Sequence, residues 1–355
     1  MCIRDRPTPY PSPKLAGTGA WINSEPFTIE SRRGEVVLID FWTYTCVNCI
    51  RTFPWLRDWH EKYADAGLVI LGVHTPEFEF EKVAENVEKA SVDHDLRYPI
   101  VQDNDFKTWR EFRNRAWPSK YLIDANGQVR YAHIGEGAYA ETERWIRTLL
   151  EEAGADLSGI SGETIARPPR DVSAYSSTAR SSVTRELYAG TYRNYGAVNS
   201  RRNPPYVRHV EYFEERDVVM FYEDPGDHAN QFIYLQGAWF NGLESLTHGR
   251  VTENYEDYLA IRFFATSVNT VMSPEGGEAY DVRVTYDDRP LARDEAGADV
   301  QWDDEGNSFV WVDEPRMYGI VKIDEVGEHE LKLSSNADNF NVFAYTFGTF
   351  LGDTA

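Results

Sequence analysis

The hydrophobic period of the chain changes once, and no single layered domain accommodates both halves. Up to about residue 154, short β-branched runs alternate with stretches whose apolar residues recur every three to four positions. Beyond residue 185 the recurrence is every second residue. The first pattern predicts an α/β domain with a central sheet, and the second an all-β antiparallel sandwich. A length of 355 residues suits two such cores, because domains commonly run to roughly 100–200 residues. Between the halves, Arg167-Pro168-Pro169-Arg170 and the serines from Ser173 to Ser182 have linker composition. The Pro-rich stretch Pro7 to Pro13 reads as extended in the same way. The expected division is a disordered leader over 1–14, an α/β domain over 15–154, a linker over 155–185 and a β-sandwich over 186–355.

In the first half, Val36 to Trp42 is an apolar strand interrupted by Asp40. Phe53, Leu56, Trp59 and Tyr63 mark a helix that ends near Gly67, and Leu68 to His74 is a second buried strand. Phe80, Val83, Val87 and Ala90 predict another helix; Ile100 and Val101 a short strand; Phe106, Trp109 and Phe112 a short helix. Tyr121 to Asp124 and Val129 to Ala132 flank Asn126-Gly127, a two-residue hairpin signal. Trp145, Ile146, Leu149 and Leu150 lie on a last amphipathic helix.

Between the first strand and the first helix stand Cys46-Val47-Asn48-Cys49. At a helix start, backbone N–H groups and the helix dipole favour an anion, which makes Cys46 the expected attacking thiolate. Cys49, one turn further on, is close enough to resolve a mixed disulfide. Half of a zinc site and a structural disulfide are the other readings of such a pair. A structural zinc site needs four ligands, but the third cysteine, Cys2, lies in the leader and no histidines have paired ligand spacing near the motif. C-x-x-C beside a βαβ pattern favours redox chemistry without a bound cofactor.

Val37-Leu38-Ile39-Asp40-Phe41-Trp42, three residues, the C-x-x-C and then Pro54 together resemble the active-site region of the thioredoxin superfamily. The resemblance implies that Asp40 lies buried beneath Cys49 and exchanges protons with it. It also implies that Trp117-Pro118 is a cis-proline opposite the cysteines, its edge position able to pair with an incoming peptide. The strand and helix over about 98–114 are similar to the insertion of the TlpA-like and peroxiredoxin-like branch. Phe41 to Cys49, Gly72-Val73-His74-Thr75-Pro76-Glu77-Phe78 and Gly135-Glu136-Gly137 most resemble the thioredoxin-like region of DipZ-type proteins. In those proteins a CcdA-like electron-carrying membrane domain lies upstream. His74 and Glu77 follow the second strand and are expected at the sheet edge near the cysteines, Glu77 for proton transfer, substrate contact or helix capping. A peroxidase would call for Pro-x-x-x-Thr-x-x-Cys, which the strand-end motif lacks. The dipeptide Val47-Asn48, and Thr45 where the superfamily usually has tryptophan, leave the direction of the redox reaction open.

In the second half Tyr280, Val282, Val284 and Tyr286 alternate with polar residues, as do Leu259, Ile261 and Phe263, and then Leu331 and Leu333. Asp287-Asp288, Asp304-Glu305-Gly306-Asn307 and Val326-Gly327 are the expected turns. Glu186-Leu187-Tyr188-Ala189-Gly190, Pro315-Arg316-Met317-Tyr318 and Phe343 to Gly348 extend the DipZ resemblance, which implies a jelly-roll fold similar to carbohydrate-binding modules. Trp239, Trp302 and Trp311 are the candidate sugar-stacking rings.

The net charge is −22, and residues from 156 onward hold 34 Asp/Glu against 17 Lys/Arg. So negative a chain repels phosphate backbones and anionic lipid, which excludes nucleic acid as a partner class. The expected function is thiol–disulfide exchange on protein disulfides or thiols, outside the cytoplasm, with electrons from a CcdA-like membrane donor. The N-terminus lacks a signal-peptide core, so an upstream tether is expected to be missing from this sequence. A cell-surface module that binds glycan or protein, its C-x-x-C non-cycling, is the competing reading.

Overall fold

The computed structural model describes residues 8–162, 170–171, 183–198, 204–348 and 350–351. It divides into two compact units, 1–168 and 169–355.

The first unit is built on seven strands: β1 (Tyr10–Pro11), β2 (Trp21–Ile22), β3 (Val36–Trp42), β4 (Leu68–His74), β5 (Ile100–Gln102), β6 (Ser119–Ile123) and β7 (Gln128–Ile134). Their order across the sheet is β1-β7-β6-β3-β4-β5-β2. Strand β3 lies at the centre, parallel to β4 and antiparallel to β6. All seven of its residues are buried, as a strand covered on both faces requires. Alternation sends Val37, Ile39 and Phe41 into one core with Leu71, Val73 and Phe112. Val36, Leu38 and Trp42 enter the other, beneath α2 (Phe53–Tyr63), α3 (Ala84–Asp93) and α5 (Tyr139–Glu152). Asp40 has the parity of this second face, so the sheet inserts a carboxylate under the helices.

Several boundaries differ from the expected ones. The leader does not extend to residue 14: Tyr10 and Pro11 pair with Val129 and Gln128 on the β7 edge. The linker does not begin at 155, because Leu157 is buried and Ala155 and Ile160 pack against the same core. Further along, Arg170–Asp171 (β8) pairs with Phe350–Leu351 (β20). Cys2 lies outside the described residues. Phe80 falls in a 3-10 turn over Glu79–Lys82 that precedes α3. The hairpin at Asn126-Gly127 is wider than a two-residue turn: Gly127 donates to the Asp124 carbonyl and Gln128 receives Asp124 N–H. Only Gly127 of that pair has a positive φ (+70°), and the Asp124 carboxylate accepts from Asn126 and Gln128 N–H, so the aspartate supplies the turn chemistry.

The second unit is strand-rich and antiparallel throughout its main sheet. Its strands are β9 (Leu187–Tyr188), β10 (Val219–Tyr222), β11 (Ile233–Asn241), β12 (Leu246–His248), β13 (Tyr258–Met272), β14 (Tyr280–Tyr286), β15 (Arg289–Pro290), β16 (Val300–Trp302), β17 (Ser308–Val312), β18 (Arg316–Ser334) and β19 (Asn341–Gly348). Strands β13 and β18 pair along most of their length. Tyr280, Val282, Val284 and Tyr286 all enter the core, as their alternation predicts. Val326-Gly327, expected as a turn, lies inside β18, where the register jumps from Ala265 opposite Gly327 to Ser267 opposite Lys322. That irregularity bends a continuous strand instead of reversing it. A short helix, α6 (Thr191–Ala197), was not expected in this half. Asn194 explains it: its amide donates to Tyr188 and Gly190 carbonyls and accepts from Tyr206 and Val207 N–H, so tertiary bonds hold a segment whose sequence has no helical period.

Candidate active site

The loop after β3 turns at Thr43, whose carbonyl accepts Cys46 N–H, and delivers Cys46 to the N-cap of α1 (Val47–Ile50). Helix α1 is a single turn. Pro54 at the start of α2 has no N–H to extend it, and the Thr52 hydroxyl donates to the Asn48 carbonyl across the break at 3.0 Å. Both cysteines are free thiols, Cys46 half-buried and Cys49 fully buried. Burial pushes the Cys49 thiol well above its ordinary value, and its hydrogen bond to Cys46 and the nearby Asp40 charge add to the effect. The pair is therefore asymmetric: Cys46 meets solvent, and Cys49 needs a base.

Asp40, whose charge acts on Cys49, is a candidate. It is 1% exposed, and neither carboxylate oxygen has a hydrogen-bond partner among the described residues. Burial raises its pKa to about 7, opposed by the charge of Lys120. Lys120 is fully buried directly across the β3–β6 ladder from Asp40. Its Nζ lies 5.6 Å from the Tyr139 ring centroid; burial lowers its pKa, opposed by the charges of Asp40, Cys49 and Glu136. Glu136 in turn sits 3.6 Å from the buried Arg51 guanidinium.

The Trp117–Pro118 peptide is cis, and the Trp117 indole donates to the Thr75 carbonyl at 3.0 Å. His74 is fully buried, stacked on Tyr44 and edge-on to Trp42. Burial lowers its pKa to about 3, which favours the neutral ring. Glu77 contributes its backbone: Glu77 and Phe78 N–H both donate to the Glu81 carboxylate. The Glu81 carboxylate thus caps the two backbone N–H groups of this segment. Glu81 is completely buried and also accepts from the hydroxyl of Thr45, the residue before Cys46.

The sequence reading passed over Lys120, Glu136 and Glu81 as functional candidates. The signal for Lys120 was its parity: it shares a face with Leu122, which is core. Among the described residues, no group of three or more His, Cys, Asp or Glu is placed to hold a metal ion. No described helix is long and apolar enough to cross a membrane.

Two family models match, one to each unit. Residues 11–132 match the AhpC/TSA family and residues 184–348 the thioredoxin-like C-terminal domain. The thiol-disulfide oxidoreductase YkuV of Bacillus subtilis is 32% identical over 143 residues, which cover 95% of that protein and 40% of this chain. The chain belongs to the thioredoxin-like thiol-disulfide oxidoreductases. Protein DipZ of Mycobacterium bovis is 32% identical over 344 residues, 95% of this chain. The chain spans 43% of the length of that relative. A solved thioredoxin-like protein in its oxidised form is 31% identical and covers 40% of this chain and 95% of its own, with a TM-score of 0.37. As an oxidoreductase of this family, the chain has Cys46-Val47-Asn48-Cys49 as its C-x-x-C, at the end of the central strand.

Proposed function

We propose that this oxidoreductase reduces protein disulfides outside the cytoplasm, with Cys46 attacking and Cys49 resolving. The observation that carries the reading is a half-buried thiol paired with a buried one above an unpartnered carboxylate. The Cys46 thiolate attacks a substrate disulfide, the substrate S–S bond breaks, and one substrate thiolate leaves and takes a proton. Cys49 then yields its proton to Asp40 and attacks the Cys46 sulfur. The second substrate thiolate departs, so two electrons have passed to the substrate and the Cys46–Cys49 disulfide remains. In this reading the cis Trp117–Pro118 segment receives the substrate, the backbone of Trp117 pairing with the substrate chain. A membrane thiol carrier of the CcdA type restores the dithiol.

Insulin reduction tests the assignment. Cys46→Ser is expected to abolish turnover, and Cys49→Ser to accumulate mixed disulfides detectable by mass spectrometry. Full activity in the Cys46 variant refutes it. A measured reduction potential near that of thioredoxin places the pair as a reductant, one near that of DsbA as an oxidant.

A second reading concerns the β unit as a carbohydrate-binding-module-like sandwich. Trp239 is core and the Trp302 ring is covered by Arg293, but Trp311 is 45% exposed on β17, opposite Asp281. An exposed ring beside a carboxylate suits a pyranose face. Glycan-array binding lost in Trp311→Ala supports this, and a silent array removes it.

A further inference from the structure

Asp40 and Lys120 are two buried, oppositely chargeable groups that face one another without bonding. They are register partners in the antiparallel β3–β6 ladder, which sets their Cβ atoms about 4.5–5.5 Å apart on the same face. Both are at most 1% exposed, and neither the Asp40 oxygens nor Lys120 Nζ has a hydrogen-bond partner among the described residues. A structural ion pair in such a place would close its hydrogen bonds, because each unmet bond in the interior is costly. An open pair leaves the carboxylate free to take a proton.

The surroundings give the pair a direction. From α1 and the residue after it come Cys46, Cys49 and Arg51; from α2, Arg57; from the approach to β5, Tyr98; from the turn into α5, Glu136 and Tyr139. Strand β4 contributes Gly72 opposite Asp40, and hence no charge. Of the cations in this set, Arg51 is committed to Glu136 at 3.6 Å, and Arg57 donates to the His94 carbonyl at 2.8 Å. Lys120 is left as the cation that faces Asp40. The charges then alternate from Asp40 through Lys120 and Glu136 to Arg51.

We infer that Lys120 is a positioning residue for the resolving step: its amine, set opposite Asp40 across the β3–β6 ladder, favours the carboxylate form that accepts the Cys49 proton. The inference rests on the dithiol reading above. Electrons and atoms balance within the step. Cys49 loses its proton to Asp40, its thiolate forms the Cys46–Cys49 bond, and the thiolate bound to Cys46 leaves with the electron pair of the broken bond. Without the cation, burial alone governs Asp40, which stays protonated into the alkaline range and cannot act.

The test uses the full chain with Cys46 held in a mixed disulfide with thionitrobenzoate, whose release by Cys49 is followed as colour against pH. In Lys120→Met the rate–pH curve is expected to slide at least about one unit toward alkaline pH, roughly a tenfold slower release at pH 7. In an Asp40→Asn background Lys120→Met adds no such slide. A merely structural lysine would lower the rate equally at every pH, and that result, or an unmoved curve, overturns the inference. Lys120→Gln serves where the methionine variant does not fold. Carbon-13 NMR titration of the Asp40 carboxyl reads the same shift without any turnover: an upward move in the variant supports the inference and an unmoved titration rejects it. Failure of the wild type to release the chromophore counts against the dithiol reading alone.

Discussion

Asp40 carries a cost of folding that changes with pH. Its pKa is raised to about 7 by burial, whereas an unfolded aspartate titrates near 3.9. Between these values the folded chain binds a proton that the unfolded chain has released, so this residue's contribution to stability falls as pH rises from about 4 to 7 and stays low above. Asp40→Asn removes that penalty. Its melting temperature is expected to exceed the wild type's at pH 8 by an amount equivalent to at most about 4 kcal/mol, with little difference near pH 4. Turnover in the same variant is expected to drop at pH 7, because the acceptor proposed for Cys49 is gone. Thermal melts at the two pH values and an insulin assay check both halves; a variant less stable at pH 8 refutes the assignment. Asp40 stood out in the sequence as an acid that interrupts an apolar strand, and the thioredoxin resemblance marked its position. Lys120 did not stand out, since Ser119-Lys120-Tyr121 reads as ordinary edge polarity until the pairing with β3 places the amine in the interior. Glu81 escaped for a related reason: a glutamate near a helix start looks solvated, and only the fold shows that it gathers Thr45, Glu77 and Phe78.

At the level of elements, the inner strands β3 and β4 of the first unit were legible because burial on both faces writes them as continuous apolar runs, whereas the two-residue edge strands β1 and β2 carry no such run. Val36–Trp42 and Leu68–His74 have the limits that their composition suggests. What the pattern could not convey was close contact between neighbours. Gly72 is opposite Asp40 on β4, and a Cβ there would lie 2.8 Å from the Trp42 indole nitrogen and 3.2 Å from the Tyr98 ring. The glycine thus makes room for two large aromatics beside the buried carboxylate's strand. Gly72→Ala is expected to overpack this region and cost about 1–3 kcal/mol, read from the midpoint of denaturant unfolding. Its backbone needs no positive φ, so crowding is the whole cause. An unchanged midpoint would show that the aromatics can yield. The misses in the second unit have the same origin. Helix α6 is held by the Asn194 amide, and β18 continues through Val326-Gly327 because its partner β13 carries it past the irregularity. Neither influence is local in sequence.

For the molecule as a whole, the −22 charge acts at distances where the chemistry of the cysteines does not. Most of it arises after residue 156, where 34 acidic residues face 17 basic ones, yet a monopole of this size is felt by any approaching macromolecule. Exchange at Cys46 begins with a diffusional encounter, and the net charge biases that encounter toward basic substrates. At about 0.01 M ionic strength the Debye length is near 30 Å, comparable to a domain, and by about 0.15 M it has shrunk to roughly 8 Å. Reduction of a basic disulfide protein should therefore lose kcat/KM as salt rises across this range, while an acidic one such as insulin should hold steady or gain. The two slopes are expected to have opposite signs, with kcat itself unmoved because the resolving step is buried and weakly screened. Parallel slopes for both substrates would mean that the charge plays no part in choosing them, and that selection rests on contacts around Cys46 and Pro118 alone.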